Sequence, residues 1–283
     1  MNQQQKGYVY VLLSAVCFAT GGILIKINSW SSMTINGLRS IFAFVIFFLF
    51  FRRLGHKFTF NKSVLLGALA NTGMSATFVL ANKLTSAANA IVLQFTLPIY
   101  IIFLLWIFWK KKPDRLSVLT AAASFVGILF FFFDNLTTTG MIGNLLALLS
   151  GFLYAIVFLI KKMPHADFES SALWSFALNF IIGIPFYFQE STITSTNIIS
   201  VLLLGFVQIG LAYIFLSKGL DFVPPVGASL ISMVEPILNP ILVAVFYGET
   251  IGGISFIGAV IVLLSAATYN VMSAKSGQKE KDV

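Results

Sequence analysis

Ten apolar runs, each close to the length that crosses a lipid bilayer, occupy nearly the whole chain. They cover residues 7–25, 34–51, 63–82, 86–109, 116–133, 140–160, 171–188, 197–217, 223–247 and 251–272. A helix needs about 20 mostly apolar residues to span the hydrocarbon core. Lipid offers no partners to the backbone, so each segment has to satisfy its own N–H and C=O groups. Helices do that, whereas a barrel would need shorter segments of alternating polarity. Composition agrees: 58% of residues are hydrophobic and 10% are charged, where a soluble domain carries about 25% charge. These values exclude a soluble enzyme, a secreted disulfide scaffold and a disordered regulator. The expected fold is an all-α integral membrane protein of ten transmembrane helices.

The net charge of +8 does not indicate nucleic-acid binding here, because cytoplasmic loops of membrane proteins collect Lys and Arg. With both termini cytoplasmic, 15 of the 18 basic residues fall inside, leaving Lys26, Arg39 and Lys83. Connections are short, and residues 275–283 read as a disordered cytoplasmic tail. The single cysteine, Cys17, has no disulfide partner. The start of the chain lacks a small-residue cleavage site, so residues 7–25 read as a retained first span.

The two halves resemble each other. A shift of 136 residues places Gly7, Leu13, Ser14, Ala19 and Lys26 on Gly143, Leu149, Ser150, Ala155 and Lys162. A shift of 138 places Ala90 and Pro98 on Ala228 and Pro236, and Leu66-Gly67 on Leu204-Gly205. The halves are residues 1–136 and 137–274. Each holds five spans, an odd number, so the second copy enters from the opposite side. Inverted repeats of this kind are typical of secondary transporters, whose substrate sites lie near the midplane between the repeats.

Val234-Glu235-Pro236 followed by Gly248-Glu249, together with Gly37-Leu38-Arg39 at the start of the second span, resembles the ten-span EamA-type permeases of the drug/metabolite transporter superfamily. Where the first half of such proteins often repeats the Gly-Glu ending, this chain has Lys110-Lys111. The resemblance implies two inverted five-helix repeats and secondary transport of small metabolites, frequently amino-acid export. It also implies a central cavity lined mainly by spans 1, 3, 4, 6, 8 and 9.

Glu235 is the one carboxylate well inside a span. An ionisable group at that depth is a functional candidate by default. It is either a coupling or binding group, or a structural one that bonds backbone freed by Pro236. Ser232, Glu235 and Asn239 are spaced to share one helical face, and Gln94 is the repeat-mate of Ser232. Gln94 and Ser232 are therefore expected to face each other across one cavity. Further lining candidates are Asn71 on the third span, with Ser75 on its face, and Gln208 and Tyr213 on the eighth. Tyr154, the repeat-mate of Phe18, and Trp174 offer aromatic faces to an aromatic or cationic solute. Asn179 reads as interhelical glue. Arg39 can snorkel outward, and a role toward a substrate carboxylate stands beside a packing role. Trp30, Trp106 and Trp109 read as interfacial anchors, and the phenylalanines as mostly lipid-facing bulk.

Both histidines, His56 and His165, fall in loops, and the chain has no HExxH, Walker A, CxxC or nucleophile-elbow pattern. No cofactor, metal, nucleotide or nucleic acid is expected; the partners are the bilayer and a small-molecule substrate. One chain is sufficient in principle, and a dimer is compatible. The reading is a non-enzymatic secondary transporter of the plasma or inner membrane, exporting an amino acid or related metabolite by alternating access. The alternatives are an organic-cation or drug transporter with Glu235 as counter-ion, and a non-transporting scaffold or sensor subunit.

Overall fold

The computed structural model describes residues 2–85, 87–133, 136, 138, 140–247 and 252–279. Among them every regular element is a helix. In chain order these are α1 (Gln3–Ala19), α2 (Gly21–Lys26), α3 (Ser32–Arg53), α4 (Lys62–Leu84), α5 (Ala87–Gln94), α6 (Leu97–Trp109) and α7 (Arg115–Phe131). There follow α8 (Met141–Leu159), α9 (Phe168–Tyr187), α10 (Ser195–Leu203), α11 (Ala212–Leu220), α12 (Pro225–Ser232), α13 (Glu235–Tyr247) and α14 (Gly253–Lys279). Eight helical stretches are long and apolar enough to cross a membrane; α7 is apolar but shorter. The run at residues 223–247 is split into α12 and α13. The final helix continues to Lys279, which corrects the expectation of a disordered tail from residue 275. Residues 280–283 and the Gly248-Glu249 pair lie outside the described residues.

Short polar side chains start the helices by accepting otherwise orphaned N–H groups. Ser31 caps α3, Asn61 caps α4, Asp114 caps α7, Asp167 caps α9 and Thr194 caps α10. Two apolar runs are broken near their middle. The α5–α6 run turns at Phe95-Thr96 and the α12–α13 run at Met233-Val234. Proline is the second residue of the helix after each break: Pro98 in α6 and Pro236 in α13. A proline nitrogen cannot donate to the carbonyl four residues back, and its ring crowds that carbonyl. A continuous helix is thereby disfavoured at Gln94 and at Ser232. Between α10 and α11 the helix widens over Leu204–Leu211 into a π-helical stretch, a distortion common at functional sites.

Helices of the first half pack chiefly on helices of the second: α1 on α11 and α12, α3 on α9, α4 on α8 and α9, α5 and α6 on α8, and α7 on α14. Apolar burial does not drive helices together in lipid, so close approach through small residues carries much of the association. A Cβ on Gly37 would lie 2.7 Å from the Cα of Gly183, fixing the α3–α9 crossing. One on Gly258 would lie 2.4 Å from the carbonyl oxygen of Gly127, which does the same for α7 and α14.

At the end of the bundle bearing Arg53, Lys62 and Lys161, the connections are tied by polar contacts. Lys161 donates to Glu169 at 3.1 Å, to Asp221 at 2.5 Å and to the Ser217 carbonyl at 2.8 Å. The Ser217 hydroxyl donates to Glu169. His56 Nε2 pairs with Asp167 at 2.9 Å, and Lys218 stacks over the Phe51 ring.

One expectation about aromatic residues is corrected. Trp30 is buried, donates from Nε1 to the Thr192 carbonyl at 2.7 Å and meets Tyr187 edge-on. It locks the α2–α3 connection onto the α9–α10 connection rather than anchoring in an interface; Trp106 does lie exposed. Most phenylalanines are exposed or half-buried, but nine of the thirty are buried. Phe47, Phe51, Phe158, Phe168 and Phe176 are buried where helices of the two halves meet, because an aromatic ring fills the gap left between crossing helices.

Candidate functional site

A cavity of about 460 Å³ lies within the bundle. It reaches the end where α3 begins, at Ser32, and the last turn of α4, at Asn82; the Lys161 end contributes none of its lining. Its walls come from α1 to α5, α8, α9, the widened segment, α11 and α13. The second and seventh apolar runs (α3 and α9) therefore contribute as well as the six that the resemblance implies.

Seven of the nine candidates line it: Asn71, Gln94, Tyr154, Gln208, Tyr213, Glu235 and Asn239. The other two do not, and both are corrections. Ser232 is buried, with its hydroxyl donating to the Ala228 carbonyl of its own helix at 3.0 Å. The break at Met233-Val234 ends the helix there, so Ser232 and Glu235 do not share a continuous face. Trp174 lies at the other end of the bundle, 39% exposed, with its ring edge-on to Phe60 and its Nε1 on the Thr59 carbonyl. Gln94 consequently does not face Ser232 across the cavity. Its amide donates to Ser150 Oγ at 2.8 Å, which in turn donates to the Met74 carbonyl at 2.9 Å.

The lining is organised around three polar groups. Tyr213 donates to Asn71 Oδ1 at 2.6 Å, and Asn71 donates to Ser175 Oγ at 2.6 Å. The Tyr213 ring is held edge-on by Phe18 and Phe176. Arg39 forms the second group. It donates from one amino group to Gln208 Oε1 at 3.0 Å and from the other to Asn36 Oδ1 at 2.8 Å. Asn36 also accepts from Ser75 at 2.8 Å and contacts Asn179, so Asn179 joins α9 to α3 as glue while lining the cavity. The Nε of Arg39 is buried without a partner. Glu235 is the third group. It is the first residue of α13, where the helix N-terminus favours negative charge, and its Oε2 is buried without a partner.

The helix breaks position these groups. The α5–α6 break ends α5 at Gln94, whose carbonyl lies against Gly151 of α8 closely enough that a Cβ there would be 2.6 Å away. The α12–α13 break starts α13 at Glu235. Gly21 and Gly22 bring α2 against Gln208 and Asn239; a Cβ on Gly22 would lie 1.8 Å from Asn239 Oδ1.

Arg39 and Asn36 are the main lining residues that the candidate set lacks. Their spacing of three, with Ser40 next to Arg39, places them on one face of the second span. That polar stripe is visible in the sequence, but its direction is not.

Comparison with known proteins agrees with this architecture. The EamA-like transporter family matches residues 5–133 and 141–271. An uncharacterized transporter of Archaeoglobus fulgidus is 23% identical over 261 residues, covering 91% of this chain and 93% of that protein. The uncharacterized inner membrane transporter YicL of Salmonella typhimurium is 23% identical over 295 residues, covering 97% and 98%. A crystal structure shares the fold at a TM-score of 0.82 and 14% identity, covering 95% of this chain and 98% of that one. The chain belongs to the EamA-like transporter family of the drug/metabolite transporter superfamily and is a multi-pass membrane transporter.

Proposed function

We propose that this protein is a secondary transporter that exports a small organic metabolite, an amino acid or close relative, by alternating access between two inverted five-helix halves. The halves are residues 1–136 and 137–274, and both termini are cytoplasmic. Ten crossings enter this reading: the eight long stretches, α7, and α12–α13 taken as one broken crossing. The name of the Salmonella relative supports placement in the inner or plasma membrane. One chain with two halves is sufficient for the cycle.

The observation that carries the reading is the pair of helix breaks. A shift of 138 takes Phe95-Thr96 to Met233-Val234 and Pro98 to Pro236, and one helix at each break, α5 at the first and α13 at the second, borders the cavity. Discontinuous helices at corresponding positions of two repeats point to the substrate site of a transporter. Packing supports the same relation. Gly7 abuts Phe222 and Val223, while Gly143, its match at a shift of 136, abuts Leu84 and Thr85, the matches of those two at 138. The positive-inside bias puts the Lys161 end in the cytoplasm. The cavity then extends toward the outer side, as in an outward-facing state.

Glu235 is the coupling candidate in this reading. A specific observation also favours a second one: an unpaired carboxylate near the rings of Phe18, Tyr154, Phe176 and Tyr213 suits an organic cation. Exchange of labelled neutral amino acids and of labelled organic cations, measured in vesicles containing the purified chain, separates the two. Amino-acid exchange is expected, with Glu235→Gln slowing it or uncoupling it from an ion gradient. Cation exchange that Glu235→Gln abolishes would establish the second reading instead. Absence of any flux would leave a non-transporting membrane subunit.

A further inference from the structure

Buried charge without compensation is costly, and proteins seldom leave it so. The cavity holds two ionisable groups of opposite kind, each with a buried polar atom left without a partner. Arg39 spends two of its five donors on Gln208 and Asn36 and has a buried Nε with no partner. Glu235 has a buried Oε2 with no partner. Both line the same cavity, yet they form no ion pair with each other. The contacts that Arg39 does make run sideways, to the widened segment and along its own helix, so they fix the guanidinium plane rather than neutralise it.

From this we infer that the solute is a compact zwitterion, its anionic group taken by Arg39 and its cationic group by Glu235. The inference rests on the transporter reading for the identity of the cavity as a solute site. A guanidinium edge matches a carboxylate in a charge-assisted, orientable pair, and Gln208 and Asn36 are the positioning residues that hold that edge. A solute carrying only a positive charge leaves Arg39 uncompensated and is repelled by it. One carrying only a negative charge meets the same difficulty at Glu235. A zwitterion compensates both at once and leaves the cavity's net charge unchanged. The rings of Phe18, Phe176 and Tyr213 then face whatever apolar body the solute has.

The test is ligand-induced thermal stabilisation of the purified full-length chain. The probes are the proteinogenic amino acids and, for each one that binds, the matching amine without its carboxylate and the matching acid without its amine. At least one amino acid is expected to stabilise the protein, with its amine and its acid each weaker by about tenfold or more. Arg39→Gln is expected to weaken the amino acid about tenfold while the amine binds more tightly than to the wild type, and Glu235→Gln to do the converse with the acid. Arg39→Lys, which keeps charge without the fork, falls between and serves where the glutamine variant does not fold. Tighter binding of the amine to Arg39→Gln reports an intact cavity relieved of a like charge, which a merely structural role for Arg39 would not give. The inference is overturned if no amino acid stabilises the chain, if an amine binds as tightly as its amino acid, or if the Arg39 variants keep wild-type affinity. Zwitterion binding with no flux in vesicles would sink the transporter reading and leave the recognition intact. Flux of simple cations indifferent to Arg39 would do the reverse.

Discussion

A methyl group at Gly22 would meet the end of a side chain, Asn239 Oδ1, whereas one at Gly37 would meet backbone, the Cα of Gly183. The two glycines therefore fail differently. Asn239 can swing away from a new Cβ, so Gly22→Ala is expected to keep stability within about 0.5 kcal/mol and to reduce transport by displacing a cavity residue. The α3–α9 crossing cannot yield without moving whole helices. Gly37→Ala is expected to cost about 1–3 kcal/mol, as overpacking does, visible as a lower melting temperature in detergent. Equal melting points for the two variants would contradict this account. At this scale the sequence is a good guide to which residues are unusual and a poor one to where they point. Glu235, Asn71 and Tyr213 are conspicuous because polar atoms are rare in lipid-depth runs. Arg39 is equally conspicuous, but snorkelling to solvent and turning into a cavity leave the same trace in a sequence.

The elements are legible where one property averaged over many residues decides them. Each of the ten apolar runs coincides with a helix or a helix pair, since exclusion from water acts on the whole run. The breaks are less legible, because proline inside a membrane helix is tolerated as often as it interrupts: Pro185 sits within α9 without ending it. That ambiguity is why spacing alone puts Ser232 on the face of Glu235 and Asn239, whereas the turn at Met233-Val234 resets the rotation between the first and the other two. The same reasoning gives a prediction. Pro236→Ala returns a donor to the Ser232 carbonyl and removes the crowding ring, so α12 and α13 are free to join. Stability is expected to hold or rise, while exchange falls by about tenfold, equivalent to about 1.4 kcal/mol, because Glu235 and Asn239 rotate out of register. Pro98→Ala is expected to act alike through Gln94. An effect in one half alone would argue that the two breaks are not equivalent. Exchange rates at matched protein levels decide it.

At the scale of the molecule, nearly every strong helix contact joins one half to the other, so neither half can move without re-sorting the contacts at both ends. The cytoplasmic end of the proposed topology is where those contacts are polar. Lys161 on the chain after α8 holds Glu169 of α9 and Asp221 just past α11, while His56 of the α3–α4 connection holds Asp167. No apolar pattern reveals such a cluster beforehand, since its members are scattered over three connections and the helix ends beside them, and each looks like an ordinary positive-inside or capping residue. If the halves rock, these pairs break once per cycle, and their strength sets how much of the population is closed to the cytoplasm. Lys161→Met leaves Glu169, whose side chain is 12% exposed, facing Asp221 with no cation between them. A loss of about 1.4 kcal/mol from the closed state would raise the inward-open fraction about tenfold while that state remains the minority. The check is labelling of Ser75→Cys, a cavity position, in a Cys17→Ala background with a membrane-impermeant thiol reagent on inside-out vesicles. Lys161→Met is expected to speed labelling from the cytoplasmic side by about that factor and to slow it from the outside. Equal labelling rates with and without Lys161 would mean that the cluster staples the loops together and takes no part in gating.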